Sequence, residues 1–302
     1  MKIALYDVDS KIPNLALMKL TRFYHDRDDD VVSFDPKFPL EHGTFDKVYA
    51  SKVFKFSPTF DLDPERMTIG GTGWDLTTVL PPGIEALQPD YTLYPDFDGN
   101  IGFAMRGCRF RCKFCVVPQK EGRPRSNNAI ADLLVNDSDF LYLLDNDFFG
   151  NPEWAERIKE IRDLDLRVNF SQGLNIRIIT NEQCKALASV RFVNSSGKYK
   201  MVTFAWDQPK DERLIYRGIE RCKTAGIKPW MMQFFVLIGF DSTPEEDLHR
   251  VQSILAVGAD PYAMPYDKAD PYQKAFARWV NRRLCKTVPW EDYSYGAWNR
   301  AA

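Results

Sequence analysis

From residue 100 onward, short β-type runs alternate regularly with stretches that have the apolar spacing of helices. The β-type runs cover residues 101–105, 140–145, 166–170, 201–206, 231–239 and 261–266. This alternation favours an α/β fold in which helices cover a parallel sheet. Six units in about 200 residues are too few for an eightfold barrel, and their number fits a partial (β/α)6 barrel. Chemistry in such folds gathers after the C-terminal ends of the strands.

The first 95 residues have the pattern of a smaller, Rossmann-like parallel α/β domain. A helix is expected at 14–25, and β-type runs occur at 2–8, 31–34, 47–51 and 67–71. An irregular, proline-containing stretch follows and ends near Pro95. We therefore predict two domains, 1–95 and 96–302. Helix-start signals in the second domain are Asn151 with Pro152, Thr180 with Gln183, and Thr243 with Glu246.

Composition excludes several classes of protein. The 302 residues are 44% hydrophobic and carry a formal net charge of −2, so neither a disordered chain nor a polyanion binder with an overall positive charge fits. No apolar run approaches the roughly 20 residues that a membrane helix needs, and the N-terminus lacks a signal-peptide pattern. We expect a cytoplasmic protein with no membrane association.

Three of the six cysteines lie within eight residues. The segment GCRFRCKFC carries Cys108, Cys112 and Cys115 directly after the first β-type run of the second domain. Three thiolates on one short loop suit an iron–sulfur cluster or zinc. A structural zinc site needs a fourth ligand. No such ligand lies near the loop in sequence, because the chain has only three histidines and all are far from it. The scattered Cys184, Cys222 and Cys285 are predicted to pack in the core.

The cysteine loop resembles the signature of the radical S-adenosylmethionine (SAM) superfamily, including the aromatic Phe114 before the last cysteine. The order of elements is similar to that family from residue 100 to about 283, with LLDNDFF and VLIGFDSTPEED at matching places. The resemblance implies that Cys108, Cys112 and Cys115 bind a 4Fe–4S cluster whose open iron takes SAM. It implies reductive cleavage of SAM to methionine and a 5′-deoxyadenosyl radical. It also implies an external electron donor of the flavodoxin or ferredoxin type.

Further cofactor-binding candidates follow from the resemblance by position after each strand. Asp145, Asn146 and Asp147 stand where the family has a Gly-Gly-Glu-like segment at the SAM amino group, and this departure makes backbone carbonyls the expected contacts. The remaining candidates are Ser171 and Gln172 for the ribose, Asp207, Arg217 for the carboxylate, and Ile238 and Gly239 for the adenine. The alternatives are an Asx-rich turn at 145–147, solvated polar side chains, and core packing on the fifth strand.

The first domain resembles the cobalamin-binding domain found in one subgroup of that superfamily. The cobalamin loop Asp-x-His-x-x-Gly is missing, and the nearest match, Glu41, His42 and Gly43, has the wrong spacing. We therefore expect a version of this domain that does not bind cobalamin. A GGTG segment at 70–73 is predicted to be a tight turn rather than a dinucleotide site. Methylthiotransferases have a similar cysteine loop, but their N-terminal cysteines are absent.

Charge is concentrated around the cysteine loop. Residues 106–125 contain seven basic side chains and one acidic, a net of +6, so the remainder carries −8. This collar suits a phosphate-bearing or nucleic-acid substrate, or else it compensates the cluster and the SAM carboxylate. Three functions stay open: a radical SAM enzyme on a small-molecule or nucleic-acid substrate, a non-catalytic iron–sulfur and SAM-binding sensor, and a cobalamin-dependent radical methyltransferase.

Overall fold

The computed structural model describes residues 1–35 and 44–293. Glu41, His42 and Gly43 lie outside the described residues. The strands are β1 Lys2–Asp7, β2 Asp30–Ser33, β3 Lys47–Ser51, β4 Thr68–Gly70, β5 Asn100–Gly102, β6 Met105–Arg106, β7 Arg125–Ser126, β8 Phe140–Leu143, β9 Arg167–Phe170, β10 Arg191–Phe192, β11 Val202–Ala205, β12 Met232–Ile238 and β13 Asp260–Pro265. The helices are α1 Leu15–His25, α2 Pro82–Glu85, α3 Val117–Lys120, α4 Trp154–Asp163, α5 Asn181–Ala188, α6 Glu212–Thr224, α7 Pro244–Ala256 and α8 Pro271–Asn281.

The first four strands form one parallel sheet in the order β2-β1-β3-β4. Side chains alternate across it, so Ile3 and Leu5 pack with α1 on one face while Ala4 packs with Phe34 on the other. Helix α1 begins where the side chain of Asn14 accepts the N–H of Leu17. The parallel α/β arrangement predicted for this part of the chain is confirmed.

Two further parallel sheets follow, with strand orders β10-β9-β8-β5 and β11-β12-β13. A parallel bridge between Leu174 and Phe204 connects the segment after β9 to β11, and the N–H of Leu174 donates to the carbonyl of Thr203 at 2.8 Å. The main apolar core lies between these sheets and helices α4 to α8. The chain is therefore a mixed α/β protein with parallel sheets.

The first strand predicted for this region, 101–105, is divided in two. β5 ends at Gly102, and Met105–Arg106 pairs with β7 in the antiparallel sense. The N–H of Ala104 donates to the side chain of Asp145, and its carbonyl accepts from the side chain of Asn151 and from the backbone N–H of Asn127 beside β7. These bonds satisfy the backbone of Ala104 away from β8, so β5 ends before it. The other five predicted strands are present, with ends shifted by at most two residues.

Two of the three predicted helix starts are confirmed. Thr180 and Thr243 each accept the backbone N–H of the third helical residue, and the side chains of Gln183 and Glu246 bond back, which completes two capping boxes. The start predicted at Asn151 is wrong, since α4 begins at Trp154. The Asn151 oxygen instead accepts the N–H of Glu153 and the hydroxyl of Ser126, so this residue stabilises a turn before the helix.

A buried cluster joins the two parts of the chain. Met18 from α1 packs with Ile101, Phe140 and Tyr142 of the second region. Among the residues described, no helix has the length and apolar character needed to cross a membrane.

Candidate functional site

The cysteine loop lies between β6 and α3, and its two ends are fastened together. Gly107 has φ +84°, and a Cβ there would lie 2.2 Å from the carbonyl oxygen of Arg123. Its N–H donates to Glu121 Oε2 at 2.9 Å, and the N–H of Cys108 donates to the carbonyl of Gly122 at 3.2 Å. Only glycine combines this close approach with a left-handed backbone, so the base of the loop depends on Gly107.

The three loop thiols are half-buried and close enough to influence one another electrostatically. Burial raises the pKa of Cys108 to about 11 and also raises the pKa of Cys112, so both are neutral thiols in the metal-free chain. Across residues 1–35 and 44–293, no three Cys, His, Asp or Glu side chains are arranged to hold a metal ion. Cysteine binds metal as the thiolate, so any metal bound by this loop would displace these protons.

Asp147 clamps the loop from the segment that follows β8. Its buried carboxylate accepts two hydrogen bonds from the Arg109 guanidinium, Nε to Oδ2 at 2.7 Å and Nη2 to Oδ1 at 2.8 Å. The backbone N–H of Arg109 donates to Oδ2 as well, at 3.1 Å. Both oxygens of Asp147 are thereby engaged, and its carbonyl accepts from the N–H of Gly150 at 2.6 Å. Asp147 thus positions the cysteine loop.

The two other members of the predicted 145–147 segment contact residues on either side of the loop. Asp145 is buried, its Oδ1 accepts the N–H of Ala104 at 2.9 Å, and its Oδ2 makes no hydrogen bond of normal geometry to the described residues. Burial raises the pKa of Asp145 to about 7, against the opposing effect of the backbone N–H groups of Met105 and Ala104. Asn146 Nδ2 donates to Glu121 Oε2 at 3.1 Å, so it supports the carboxylate at the base of the loop.

Arg177, which was not among the predicted site residues, lies beside the cysteine loop. Its guanidinium is 5.2 Å from the centre of the Phe110 ring and pairs with Asp211 at 2.8 Å. It opposes the rise in the pKa of Cys112. The predicted Arg217 is exposed on α6, where its guanidinium donates to the carbonyl of Arg177 at 3.4 Å. Arg177 could have been predicted as a site residue, because it follows the third predicted strand.

Asp207 follows β11 and has no hydrogen bond or ion pair with the residues the structure describes. Burial raises the pKa of Asp207 to about 6, and the cations Arg177 and Arg250 oppose this rise. Ser171 and Gln172 follow β9, where Gln172 Nε2 donates to Ser171 Oγ at 3.2 Å. These three side chains lie at the predicted position after their strands.

The segment after β12 is shaped by Gly239 and Arg250. Gly239 has φ +73°, and a Cβ there would lie 2.2 Å from the side chain of Gln273. Arg250 is fully buried with Asp247 and donates to the carbonyls of Trp206 and Leu237, so it ties together the ends of β11 and β12. The predicted Ile238 is fully buried in the main core, as the core-packing alternative holds.

Aromatic rings connect the cysteine loop to the last two strands. The ring of Phe114 meets Phe240 edge-on, with centroids 5.4 Å apart, and Phe240 contacts Tyr266 at 4.8 Å. Phe240 and Tyr266 follow β12 and β13. Apolar groups on this side of the loop reduce the access of water to it.

The other cysteines are separate from this loop. Cys184 and Cys222 are completely buried between α5 and α6 with their sulfurs 3.6 Å apart, and Cys285 packs against the main core. No protein-family model matches the chain, and no curated protein matches it either.

Proposed function

We propose that this protein is a radical SAM enzyme in which Cys108, Cys112 and Cys115 bind a 4Fe–4S cluster. The observation that supports the proposal best is the Cys-x3-Cys-x2-Cys loop itself, which follows the first strand of the second region and is fastened by Asp147 and Glu121. Carboxylates from the segment after β8 and from the residue that follows α3 thus serve to position the thiols.

The donor set fits such a cluster. Three thiols on one irregular loop supply ligands for three irons and leave one iron free. Ligation by these thiols would deprotonate them, because cysteine binds metal as the thiolate. When bound, the cluster supplies the electron that cleaves the sulfonium of SAM.

The residues around the loop would bind and orient SAM. Asp145, Asn146, Ser171 and Asp207 follow successive parallel strands and bring polar groups to one edge of the sheets. Arg177 supplies a cation that suits the carboxylate of SAM. Phe114 and Phe240 would exclude water from a reactive species formed nearby.

The architecture that goes with this function is a partial (β/α)6 barrel. We propose that β5, β8, β9, β11, β12 and β13 form its wall, with the Leu174–Phe204 bridge as the joint between the two sheets. The first domain serves as an accessory module without cobalamin. The enzyme would act in the cytoplasm with a flavodoxin- or ferredoxin-like electron donor.

Anaerobic reconstitution tests cluster binding. We expect about four iron and four sulfide per chain, with thiolate-to-iron absorption in the visible range. Cys112→Ala should lose most of the iron, whereas the matched control Cys285→Ala should retain it, because Cys285 is remote from the loop in sequence and packs in the core. A wild-type protein that takes up no iron while folded contradicts the proposal, and so does a Cys112→Ala variant that takes up as much as the wild type.

A further inference from the structure

The first domain, the segments after β12 and β13, and the cysteine loop with α3 form a ring of contacts. Lys120 Nζ donates to Thr72 Oγ1 at 2.6 Å, and Lys268 lies 5.5 Å from the centre of the Phe54 ring. The GGTG turn packs on Phe54, since a Cβ at Gly73 would lie 2.6 Å from the backbone of Phe54. We call this ring, together with the neighbouring side chains of Phe56, Trp74, Lys113 and Arg123, the rim. The members of the ring in order are Lys120, Thr72, Gly73, Phe54, Lys268, Tyr266, Phe240 and Phe114.

The geometry of the GGTG turn fixes that part of the rim. Gly71 has φ +101° and approaches the carbonyl of Lys52, and the N–H of Gly73 donates to the same carbonyl at 2.9 Å. The tight turn predicted here is confirmed. Lys52 is buried and its ammonium donates to the carbonyls of Lys55 and Gly73, which holds the two segments together.

Large aromatic side chains stand exposed on the rim. Phe56 is 57% exposed, Tyr266 is 55% exposed and Trp74 is 38% exposed. Phe56 stacks on Phe54 with centroids 5.1 Å apart, and Lys268 lies 3.5 Å from the centre of the Phe56 ring. Lys268 thus covers part of one face of Phe56, and the exposed remainder of the ring is a surface on which a nucleic-acid base can stack.

The cations near the rim divide into two groups. Arg106 pairs with Glu85 and Glu121, and Arg109 pairs with Asp147, so their charges are balanced within the chain. The exposed Arg111, Lys113 and Arg123 have neither an ion pair nor a hydrogen bond with the residues that the structure describes. The second group is therefore free to meet an anion from solvent.

Acidic residues also lie at this edge. Asp241 and Asp267 are exposed, Asp9 accepts the N–H of Phe54, and Asp75 acts electrostatically on Lys120. These four carboxylates are outnumbered by five cations, Arg111, Lys113, Lys120, Arg123 and Lys268. The edge therefore has a small net positive charge on a chain whose total is −2. The cations come from the cysteine loop, from α3 and the segment after it, and from the segment after β13. The positively charged surface is therefore larger than the binding site of one small anion.

We propose that the rim binds a single-stranded nucleic acid, with bases stacked on Phe56 and Trp74 and phosphates beside Lys113, Arg123 and Lys268. As a statement about the substrate, this rests on the proposed function and names its substrate class. A strand lying across the rim would bring one nucleotide over the cysteine loop. The first domain then acts as part of the substrate surface.

Binding is tested without reductant on the folded, full-length chain, so it does not depend on SAM cleavage. The probes are fluorescein-labelled 20-nucleotide ribo- and deoxyribo-oligomers of one mixed sequence, measured by fluorescence anisotropy across a salt series. We expect measurable affinity that falls as salt rises. Phe56→Ala and Trp74→Ala should each weaken binding by about fivefold or more, the loss typical of one stacking contact. Lys268→Ala and Arg123→Ala should each reduce the salt slope by about 0.7.

Matched controls carry the same changes at the opposite edge. Trp230→Ala and Lys228→Ala alter an exposed aromatic and an exposed cation before β12, and both should bind like the wild type. Rim variants that bind as tightly as these controls overturn the inference, as does displacement of the strand by an equal concentration of AMP. Stronger binding of one oligomer identifies the sugar. If the strand binds at the rim but reduction with SAM yields no 5′-deoxyadenosine, the proposed function fails and the binding surface stands.

Discussion

The carboxylate of Asp147 and the guanidinium of Arg109 form a two-point ion pair across 38 residues of sequence, with one oxygen bonded to Nε and the other to Nη2. The two partners differ in burial: the Asp147 side chain is 3% exposed and that of Arg109 is 35% exposed. The pair holds the cysteine loop against the segment that follows β8. Because the two side chains differ in burial, removing one or the other should have different effects on stability.

Removing Arg109 should cost more stability than removing Asp147. Arg109→Ala leaves a buried carboxylate without its cation, a change that typically costs about 3–5 kcal/mol. Asp147→Ala leaves a guanidinium that can reach water, and we expect a loss of about 1.5–3 kcal/mol. Urea unfolding of the metal-free protein measures both. The double variant Arg109→Ala with Asp147→Asn should recover part of the loss; equal costs for the two single variants would contradict this account.

Two glycines at the base of the cysteine loop provide a matched comparison. Gly107 and Gly122 both have positive φ, +84° and +77°. Of the two, only Gly107 lies so close to neighbouring backbone atoms that an added Cβ would clash with them. Gly122→Ala should cost about 1 kcal/mol for the left-handed backbone alone. Gly107→Ala should cost more and should also lower iron uptake on reconstitution, since Cys108 must shift with it. Similar iron contents in the two variants would show that the base of the loop tolerates movement.

Asp145 should make stability depend on pH. Its pKa is raised to about 7 by burial, so the folded state holds a proton that the unfolded chain releases near pH 4. Stability should therefore fall as pH rises from about 4 to 7, by at most about 4 kcal/mol at about 1.4 kcal/mol per unit of pKa. Asp145→Asn keeps one acceptor oxygen and cannot titrate. Denaturation at pH 5, 6, 7 and 8 should show a shallower decline in that variant, and parallel curves would exclude the effect.

Arg177 should matter for SAM cleavage. It lies beside Phe110 and influences Cys112, so Arg177→Ala should lower the yield of 5′-deoxyadenosine about tenfold or more. Arg213→Ala on α6 is the control, because that side chain is exposed and makes no hydrogen bond or ion pair within the described ranges. Yields are measured by chromatography after reconstitution to equal iron content. A normal yield from Arg177→Ala would remove Arg177 from the site.

The parts of the fold that were predictable from sequence are those with local causes. The capping boxes at Thr180 and Thr243 involve residues three apart, and the strand Lys47–Ser51 is bounded as its β-type run predicts. The role of Asn151 was missed because its partners Ala104 and Ser126 lie far away in sequence. The same holds for Arg177: which of two arginines faces the cysteine loop depends on how the segment after β9 packs under α6.

The site divides in the same way. The cysteine spacing is a local pattern and was visible at once, whereas the pairing of Asp147 with Arg109 requires the loop and the second strand of the region to be adjacent in space. The basic collar was also visible from sequence. Its division into paired and unpaired cations needed the positions of Glu85, Glu121 and Asp147.

Formation of 5′-deoxyadenosine is the most direct test of the central proposal. The reconstituted wild-type protein, reduced with dithionite under anaerobic conditions and given SAM, should produce 5′-deoxyadenosine and methionine in equal amounts. Cys108→Ala, Cys112→Ala and Cys115→Ala should each produce none above background. A wild-type protein that carries its full iron and sulfide and binds SAM, yet forms no 5′-deoxyadenosine under reduction, would contradict the account and identify a SAM-binding iron–sulfur protein without this activity.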